Sequence, residues 1–283
     1  MMLIDGKKIA AEMKEKIRKQ VEQMRAGGLT PCLAVILVGD NPASRVYVRN
    51  KEKDCQECGI ESKEYKLPTE TTEEALLKLI AELNANAQVH GLLVQLPLPK
   101  HIQEDRVIAA IDPDKDVDAF HPFNVGNMML GKDRFLPCTP AGVMEMLDYY
   151  GIDPAGKQCV VLGRSNIVGK PQALLLLRRH GTVTICHSKT PDLAEQCRRA
   201  DILVCAVGQR NLITADMVKE GAVVIDVSIN RKDDGKLCGD VCFDEVAPKC
   251  SYITPVPGGV GPMTRVMLLR NTLTAAEMAA DRA

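Results

Sequence analysis

The sequence carries almost no excess charge of either sign: 36 Lys and Arg stand against 37 Asp and Glu, a net charge of −1. Such a balance offers no electrostatic footprint for nucleic acid or for an anionic membrane surface, so the expected partners are small molecules. No apolar run approaches the roughly 20 residues that cross a bilayer, and the N-terminus has no secretory h-region. Histidine is sparse and scattered, and Cys55-x-x-Cys58 has neither a second pair nor a histidine cluster to complete a metal or redox site. The 11 cysteines therefore fit a reducing, cytoplasmic setting rather than a disulfide framework. Internal repeats and low-complexity segments are absent as well.

What is present is an alternation. The 283 residues suffice for two ordinary domains, each with its own core. Ile9, Met13, Ile17, Val21 and Met24 recur at near-helical spacing and stop at Gly27-Gly28. Leu33 to Val38 reads as a buried strand, Asn41-Pro42 as a helix start, Gly59 as that helix's end, and Ser62 to Leu67 as another strand. Thr71-Thr72-Glu73-Glu74 is a capping box ahead of Leu76, Leu77, Ile80 and Leu83, and His90 to Gln95 supplies the next strand. A helical piece near Asp105 to Ala110 leads to the acidic stretch Asp112 to Asp118, too polar for an element interior and read as a domain seam.

From Gln158 the pattern restarts, with strands at Cys159 to Leu162, Thr182 to Cys186, Ile202 to Ala206 and Val223 to Val227, separated by helix-length segments. Strands alternating with helices predict a doubly wound parallel sheet. Asp233-Asp234-Gly235-Lys236 predicts a tight turn at its edge, and Val266, Leu269 and Leu273 mark a last helix.

Four patterns point to chemistry. Gly163-x-Ser165-x-x-x-Gly169 follows a strand and opens a helix, where exposed backbone amides accept a pyrophosphate; a plain turn would look much the same. The second strand of that half ends Cys186-His187-Ser188-Lys189-Thr190, without the acid that grips a ribose 2′-hydroxyl, so Arg164, Ser188 and Lys189 suit a 2′-phosphate and favour NADP over NAD. Tyr47 and Lys51 lie four apart on one helix face, a spacing that by itself describes any half-buried ring beside a solvated amine. The run Tyr252-Ile253-Thr254-Pro255-Val256-Pro257-Gly258-Gly259-Val260-Gly261-Pro262-Met263-Thr264 could be a rigid connector, but its glycines also permit close approach to a flat ligand.

Together with Val38-Gly39-Asp40-Asn41-Pro42-Ala43-Ser44, Gly91 to Pro99 and Gly163 to Pro171, that run resembles the methylenetetrahydrofolate dehydrogenase/cyclohydrolase family over nearly the whole chain. The resemblance implies an N-terminal α/β catalytic, folate-binding domain over 1–136 and a Rossmann-type NADP-binding domain over 137–263. A C-terminal helix, 264–283, returns to the first domain. It implies a homodimer and a catalytic set of Lys51, Tyr47, Gln95 and Asp118. Tetrahydrofolate derivatives would be bound by these with Leu96, Pro97, Pro257, Gly258, Gly259 and Val260, the proline-glycine run lining an interdomain cleft. NADP would be bound by Thr139, Gly163, Arg164, Ser165, Ile167, Val168, Ser188, Ser228 and Ile229.

Gln95 is expected to hold the lysine amine and Asp118 the pterin edge. Hydride then leaves the one-carbon bridge of 5,10-methylenetetrahydrofolate, and water opens the resulting methenyl cation to 10-formyltetrahydrofolate while Lys51 and Tyr47 manage the proton transfers. Three positions depart from the family pattern: Ala119 and Ser228 stand for glycines, and Arg265 for a small apolar residue. The rival readings are a shikimate-type NADP dehydrogenase, against which the Pro-Gly-Gly-Val-Gly-Pro run argues, and a nucleotide-binding regulatory protein without chemistry, against which intact Tyr47, Lys51, Gln95 and Asp118 argue.

Overall fold

The computed structural model describes residues 1–282. The chain divides into two compact units, Glu12–Leu136 with Arg265 onward, and Met1–Ala11 with Pro137–Thr264.

The first unit is built on a three-stranded parallel sheet. Its centre is β2, Cys32–Val38, flanked by β3, Glu61–Leu67, and β4, Gly91–Val94, in the order β3-β2-β4. Every residue of β2 is buried, which is why CLAVILV is apolar throughout rather than alternating: a parallel strand covered on both faces has no water side. Cys32, Ala34, Ile36 and Val38 pack on Leu76, Ile80 and Leu83 of α3, Glu73–Ala85, and on Val107 of α4, Glu104–Ala110. The edge strand β3 reads ESKEYKL and stays partly exposed, its charges discouraging further pairing. The helices α1, Gly6–Ala26, and α2, Pro42–Cys58, occupy the periodic segments read from the sequence.

Two expectations are corrected here. Thr72 rather than Thr71 caps α3, its hydroxyl accepting from Ala75 N at 3.2 Å, while Thr71 donates to Pro68 O. The reciprocal half of a capping box is missing, because with Thr72 as the cap the third helical residue is Ala75, which has no carboxylate; Glu73, at the first position, accepts from Gln103 N and pairs with Arg106. Nor is the stretch Asp112 to Asp118 a seam. Leu92 N donates to Lys115 O at 2.8 Å and Leu92 bridges Asp116 in parallel, so this polar segment is sewn along β4 inside the unit. Beyond it lies α5, Pro122–Met129, which the periodicity had not marked.

The second unit carries a six-stranded parallel sheet. After α6, Cys138–Tyr149, come β5, Gln158–Leu162; α7, Gly169–Arg178; β6, Thr182–Cys186; α8, Leu193–Arg198; β7, Ile202–Cys205; and β8, Val223–Asp226. A small antiparallel hairpin, β9 at Asn230–Arg231 and β10 at Leu237–Cys238, follows and closes through the Asp233–Lys236 turn with Gly235 at φ +81°. Then come α9, Phe243–Val246; β11, Tyr252–Ile253; and α10, Val260–Ala280. With β1, Met2–Leu3, the order is β1-β11-β8-β7-β5-β6. Val160, Leu162, Leu203, Cys205, Val224 and Ile253 form its buried centre.

The strand neighbours of β5 are β6 on one side and β7 on the other, so the winding reverses beside β5. Such a reversal opens a crevice at the carboxyl ends of the strands, the usual ligand position in an open α/β sheet. The N-terminal residues also require a correction. Met2 and Leu3 pair with Tyr252 and Ile253, so 1–11 belong with the six-stranded unit and not with a 1–136 domain. Two backbone hydrogen bonds, Met2 N to Ser251 O and Ile4 N to Ile253 O, hold them there. From Arg265 onward α10 joins the three-stranded unit, where Asn271 Nδ2 donates to Val117 O and Leu136 O at 2.8 and 3.0 Å.

Candidate active site

In the three-stranded unit the site begins with the start of α2. Asn41 Oδ1 accepts from Ser44 N and Pro42 fills the first helical position, so the helix starts where its unpaired amides are satisfied. That start sets the phase of the helix. Tyr47, Lys51 and Asp54 then share one face. Lys51 is only 8% exposed, and its Nζ donates to Gln95 Oε1 at 3.0 Å. Gln95, immediately after β4, is itself held: its N donates to Ile36 O and its Nε2 to Leu96 O at 2.7 Å. The amine therefore rests on a neutral amide whose orientation the backbone dictates. Burial raises the Tyr47 phenol above its ordinary pKa, and the Arg265 charge partly opposes this.

Asp118 is half-buried, at the end of the segment that runs along β4. Its loop is organised by a residue that sequence reasoning grouped with solvated acids. Asp116 is buried, its carboxyl raised by desolvation, and it accepts from Phe120 N, His121 N and Asn124 Nδ2 at 3.3, 2.8 and 2.9 Å. Asn124 also donates to Pro113 O, closing the loop on itself. Nothing in the spacing of Asp112, Asp114, Asp116 and Asp118 separates the buried acid from the others. Ala119, following Asp118, adopts φ +59°, the left-handed region in which a glycine would be relaxed. Leu96 is half-buried and Pro97 exposed, joined by a cis peptide bond.

Arg265 is no surface substitution. Its Nε meets Asp54 Oδ2 at 2.5 Å, while Lys14 Nζ takes Asp54 Oδ1 and reaches Glu57 Oε2 at 2.7 Å. The pair Cys55 and Cys58, by contrast, is buried, and desolvation pushes the two thiols up to about 12 and about 11. Neither is a thiolate near neutrality, which removes the redox reading.

In the six-stranded unit the candidate residues collect at the carboxyl ends of strands. Gly163 follows β5 at φ +114°, and a Cβ there would lie 2.3 Å from Ala206 O, beyond the end of β7. A Cβ on Gly169 would lie 2.2 Å from Gly163 O. Both glycines are thus required by the backbone's own approach to itself. Ser165 occupies the variant position of the fingerprint and accepts from Val168 N and Gly169 N, each at 3.2 Å, so its hydroxyl shapes the first turn of α7. Arg164 and Ile167 are exposed and Val168 half-buried along this loop.

Leu162 pairs with Cys186, so Arg164 and Ser188 each stand two residues past the same rung. Both are exposed. No acid occupies this strand end; His187 and Thr190 instead brace the turn, His187 N donating to Thr190 Oγ1 and Lys189 N to His187 Nδ1. Ser228 lies just beyond β8 and Ile229 beside it is exposed. The Ser228 hydroxyl turns inward, donating to Asp240 Oδ2 at 2.7 Å and accepting from Gly208 N. Asp226 at the end of β8 accepts from Ser228 N, Asp240 N and Val241 N, and burial pushes its carboxyl up to about 7. The Ser228-Asp226-Asp240 network had no signal in the sequence, since its members come from separate turns.

After β11, the Pro255–Val260 turn is closed by Gly259 N donating to Pro255 O, and Lys7 N donates to Gly258 O. Gly258 has φ +106°, and a Cβ on Gly6 would meet Gly259 O at 1.9 Å. Pro257 is exposed while Gly258, Gly259 and Val260 are buried, so this turn presents backbone more than side chains. Thr139 near the start of α6 shares a 2.9 Å hydroxyl contact with Thr264. Among the described residues no His, Cys, Asp and Glu cluster could hold a metal ion, and no helix is long and apolar enough to cross a membrane.

Comparison with known proteins gives the chain's family. Residues 4–118 match the model of the tetrahydrofolate dehydrogenase/cyclohydrolase catalytic domain, and 137–280 match that family's NAD(P)-binding domain. The bifunctional protein FolD of Moorella thermoacetica is 60% identical over 97% of this chain and 98% of its own. The crystal structure of the bifunctional enzyme FolD from Campylobacter jejuni, a methylenetetrahydrofolate dehydrogenase/cyclohydrolase, superposes with a TM-score of 0.97 at 53% identity, covering 100% of both chains. The Trypanosoma brucei enzyme, complexed with NADP cofactor and inhibitor, gives a TM-score of 0.95 at 41% identity over 100% of this chain and 99% of that one. A shikimate dehydrogenase from Thermus thermophilus, at 17% identity and a TM-score of 0.54 over 87% of this chain and 99% of its own, shares the fold alone. This chain belongs to the tetrahydrofolate dehydrogenase/cyclohydrolase family.

Proposed function

We propose that this chain oxidises 5,10-methylenetetrahydrofolate to 5,10-methenyltetrahydrofolate with NADP and then hydrolyses the product to 10-formyltetrahydrofolate, one-carbon steps that serve purine biosynthesis. The observation that carries the reading is the buried Lys51 amine resting on Gln95, one turn of α2 from Tyr47. Its partner is a neutral amide and not a carboxylate, so the amine is aimed by a hydrogen bond without being drawn into an ion pair. Lys51 and Tyr47 transfer the protons as water adds to the methenyl carbon, and Asp118 receives the N–H edge of the pterin. Gln95 keeps the amine aimed throughout. The backbone of Leu96 and Pro97 borders the folate.

Bound NADP supplies the hydride acceptor. The turn 163–169 leads from β5 into the start of α7, where backbone amides at a helix start suit a pyrophosphate. Arg164 and Ser188 hold the 2′-phosphate, placed alike by the β5–β6 register. Thr139, Ser165, Ile167, Val168, Ser228 and Ile229 frame the remainder. Because hydride loss is driven by the adjacent nitrogen lone pairs of the substrate, this half contributes orientation rather than acid or base.

We read the chain as a cytoplasmic homodimer joined through its six-stranded unit. Strand β6 is an edge with Thr182, Thr184 and Ile185 exposed, a row open to pairing with a second copy. Light scattering during gel filtration checks the dimer. The central test is Lys51→Met, which should cut methenyl hydrolysis by roughly 10²- to 10⁴-fold while sparing part of the hydride transfer. Undiminished hydrolysis in that variant overturns the role. Arg164→Ala should lower the preference for NADP over NAD by about tenfold or more, in keeping with loss of a charged hydrogen bond.

A further inference from the structure

Asp54 is a carboxylate in the wrong place for a free amine. It is 3% exposed and lies three residues beyond Lys51 on the same face of α2, the spacing at which opposite charges on a helix normally meet. A buried carboxylate needs a cation, and on its own helix Lys51 is the one closest in phase with it. Yet Lys51 forms no ion pair among the described residues and donates to Gln95 instead. Both oxygens of Asp54 are already taken from other helices. Lys14 of α1 holds Oδ1, and Arg265 of α10 holds Oδ2 at 2.5 Å.

We propose that Arg265 and Lys14 are positioning residues for the proton-transfer chemistry: by occupying both oxygens of Asp54 they keep that carboxylate from capturing Lys51. The proposal rests on the reading of Lys51 as the proton-transfer group. An amine paired with a buried carboxylate is held protonated and is lost as a base, whereas one on an amide stays exchangeable. The other charged or titratable groups around this face are few. Tyr47 and Cys55 come from α2 itself, and the Cys55 thiol, pushed up to about 12 by burial, stays neutral. Glu57 is bound to Lys14, and Asp118 stands on the loop beside β4. Arg265 also bears on the Tyr47 phenol, so one guanidinium serves both members of the pair. This gives a reason for a charged residue where the family pattern has a small apolar one.

The test follows the decay of 5,10-methenyltetrahydrofolate from about pH 6 to about pH 9 in the wild type, Arg265→Val, Asp54→Ala and the double variant. Arg265→Val frees Oδ2, so the limb of activity that rises with pH should move up by about one unit, roughly a tenfold loss near neutrality that alkaline pH restores. In the double variant the trap is gone, and the profile should return to within about threefold of the wild type. NADP-dependent oxidation should change far less than hydrolysis. A uniform loss at every pH that Asp54→Ala does not relieve, or an unmoved profile in Arg265→Val, overturns the proposal. Arg265→Met, which keeps a long side chain but carries no donor for Oδ2, takes the place of the valine variant should that one fail to fold. Active Lys51→Met would remove the parent reading, while inactive Lys51→Met beside an unshifted Arg265→Val removes only the clamp.

Discussion

In the three-stranded unit the reactive groups are side chains locked by hydrogen bonds, Lys51 on Gln95 and Gln95 on Leu96 O. In the six-stranded unit the loop after β5 is shaped by side chains that are missing, at Gly163 and Gly169, where any Cβ would collide with carbonyl oxygens. The difference follows from what each half must handle. A pyrophosphate is bound by amides and a helix start, so the protein's task is to bring backbone close. Opening a ring needs protons moved at a defined atom, which only an oriented side chain can do. The two halves should therefore fail in different ways.

The largest effect expected is at Gly169. Its Cβ would come within 2.2 Å of Gly163 O, backbone against backbone, so Gly169→Ala must displace the turn. NADP-dependent oxidation should fall at least about a hundredfold, as for other small misplacements of a reacting group. Hydrolysis of methenyltetrahydrofolate supplied directly should persist, measured in the same preparation. Equal loss of both activities would erase the distinction between the halves.

Next comes the shared dependence on packing. Ile36 is fully buried at the centre of β2, and its carbonyl also anchors Gln95 N. Ile36→Ala should cost roughly 2–5 kcal/mol in urea unfolding, with hydrolysis affected more than NADP binding because β2 supports only the first site. The third contrast is one of pH. Burial lifts Asp226 to about 7 from the ordinary carboxylate value, so between about pH 4 and pH 7 the folded state holds a proton that the unfolded chain has released. Stability contributed by the six-stranded unit should then fall as pH rises through that window, by on the order of a few kcal/mol. Asp226→Asn should flatten the fall in thermal melts, and a slope identical to that of the wild type would refute it.

The smallest effect is at Ala119. At φ +59° an alanine is strained by on the order of 1 kcal/mol, partly offset by the freedom glycine gains when unfolded. Ala119→Gly should raise stability by about 0.5–1 kcal/mol and change the apparent folate affinity only slightly. A large kinetic change would mean that the strain aims Asp118.

Much of this could be read along the chain. The unbroken apolar run of β2 and the strand-then-glycine pattern at 163–169 are local signatures, because burial on both faces and close backbone approach act on consecutive residues. Tyr47 and Lys51 were legible as a pair because four residues is nearly one helical turn. Asp54 and Arg265 were not, being 211 residues apart, and Asp116 could not be told from Asp118 until the loop closed over one of them. The pairing of Met2 and Leu3 with β11 was equally hidden, since two residues carry no periodicity.

Local sequence by itself determined the alternation of strands and helices, the glycine turns and the spacing of the lysine and tyrosine, because each depends on neighbours within a turn or a strand. Only the tertiary structure decided which acid is buried, which cations hold Asp54, and that the chain's first residues complete the six-stranded sheet. Those outcomes depend on desolvation and pairing between groups that folding brings together from distant positions, and no local pattern records them.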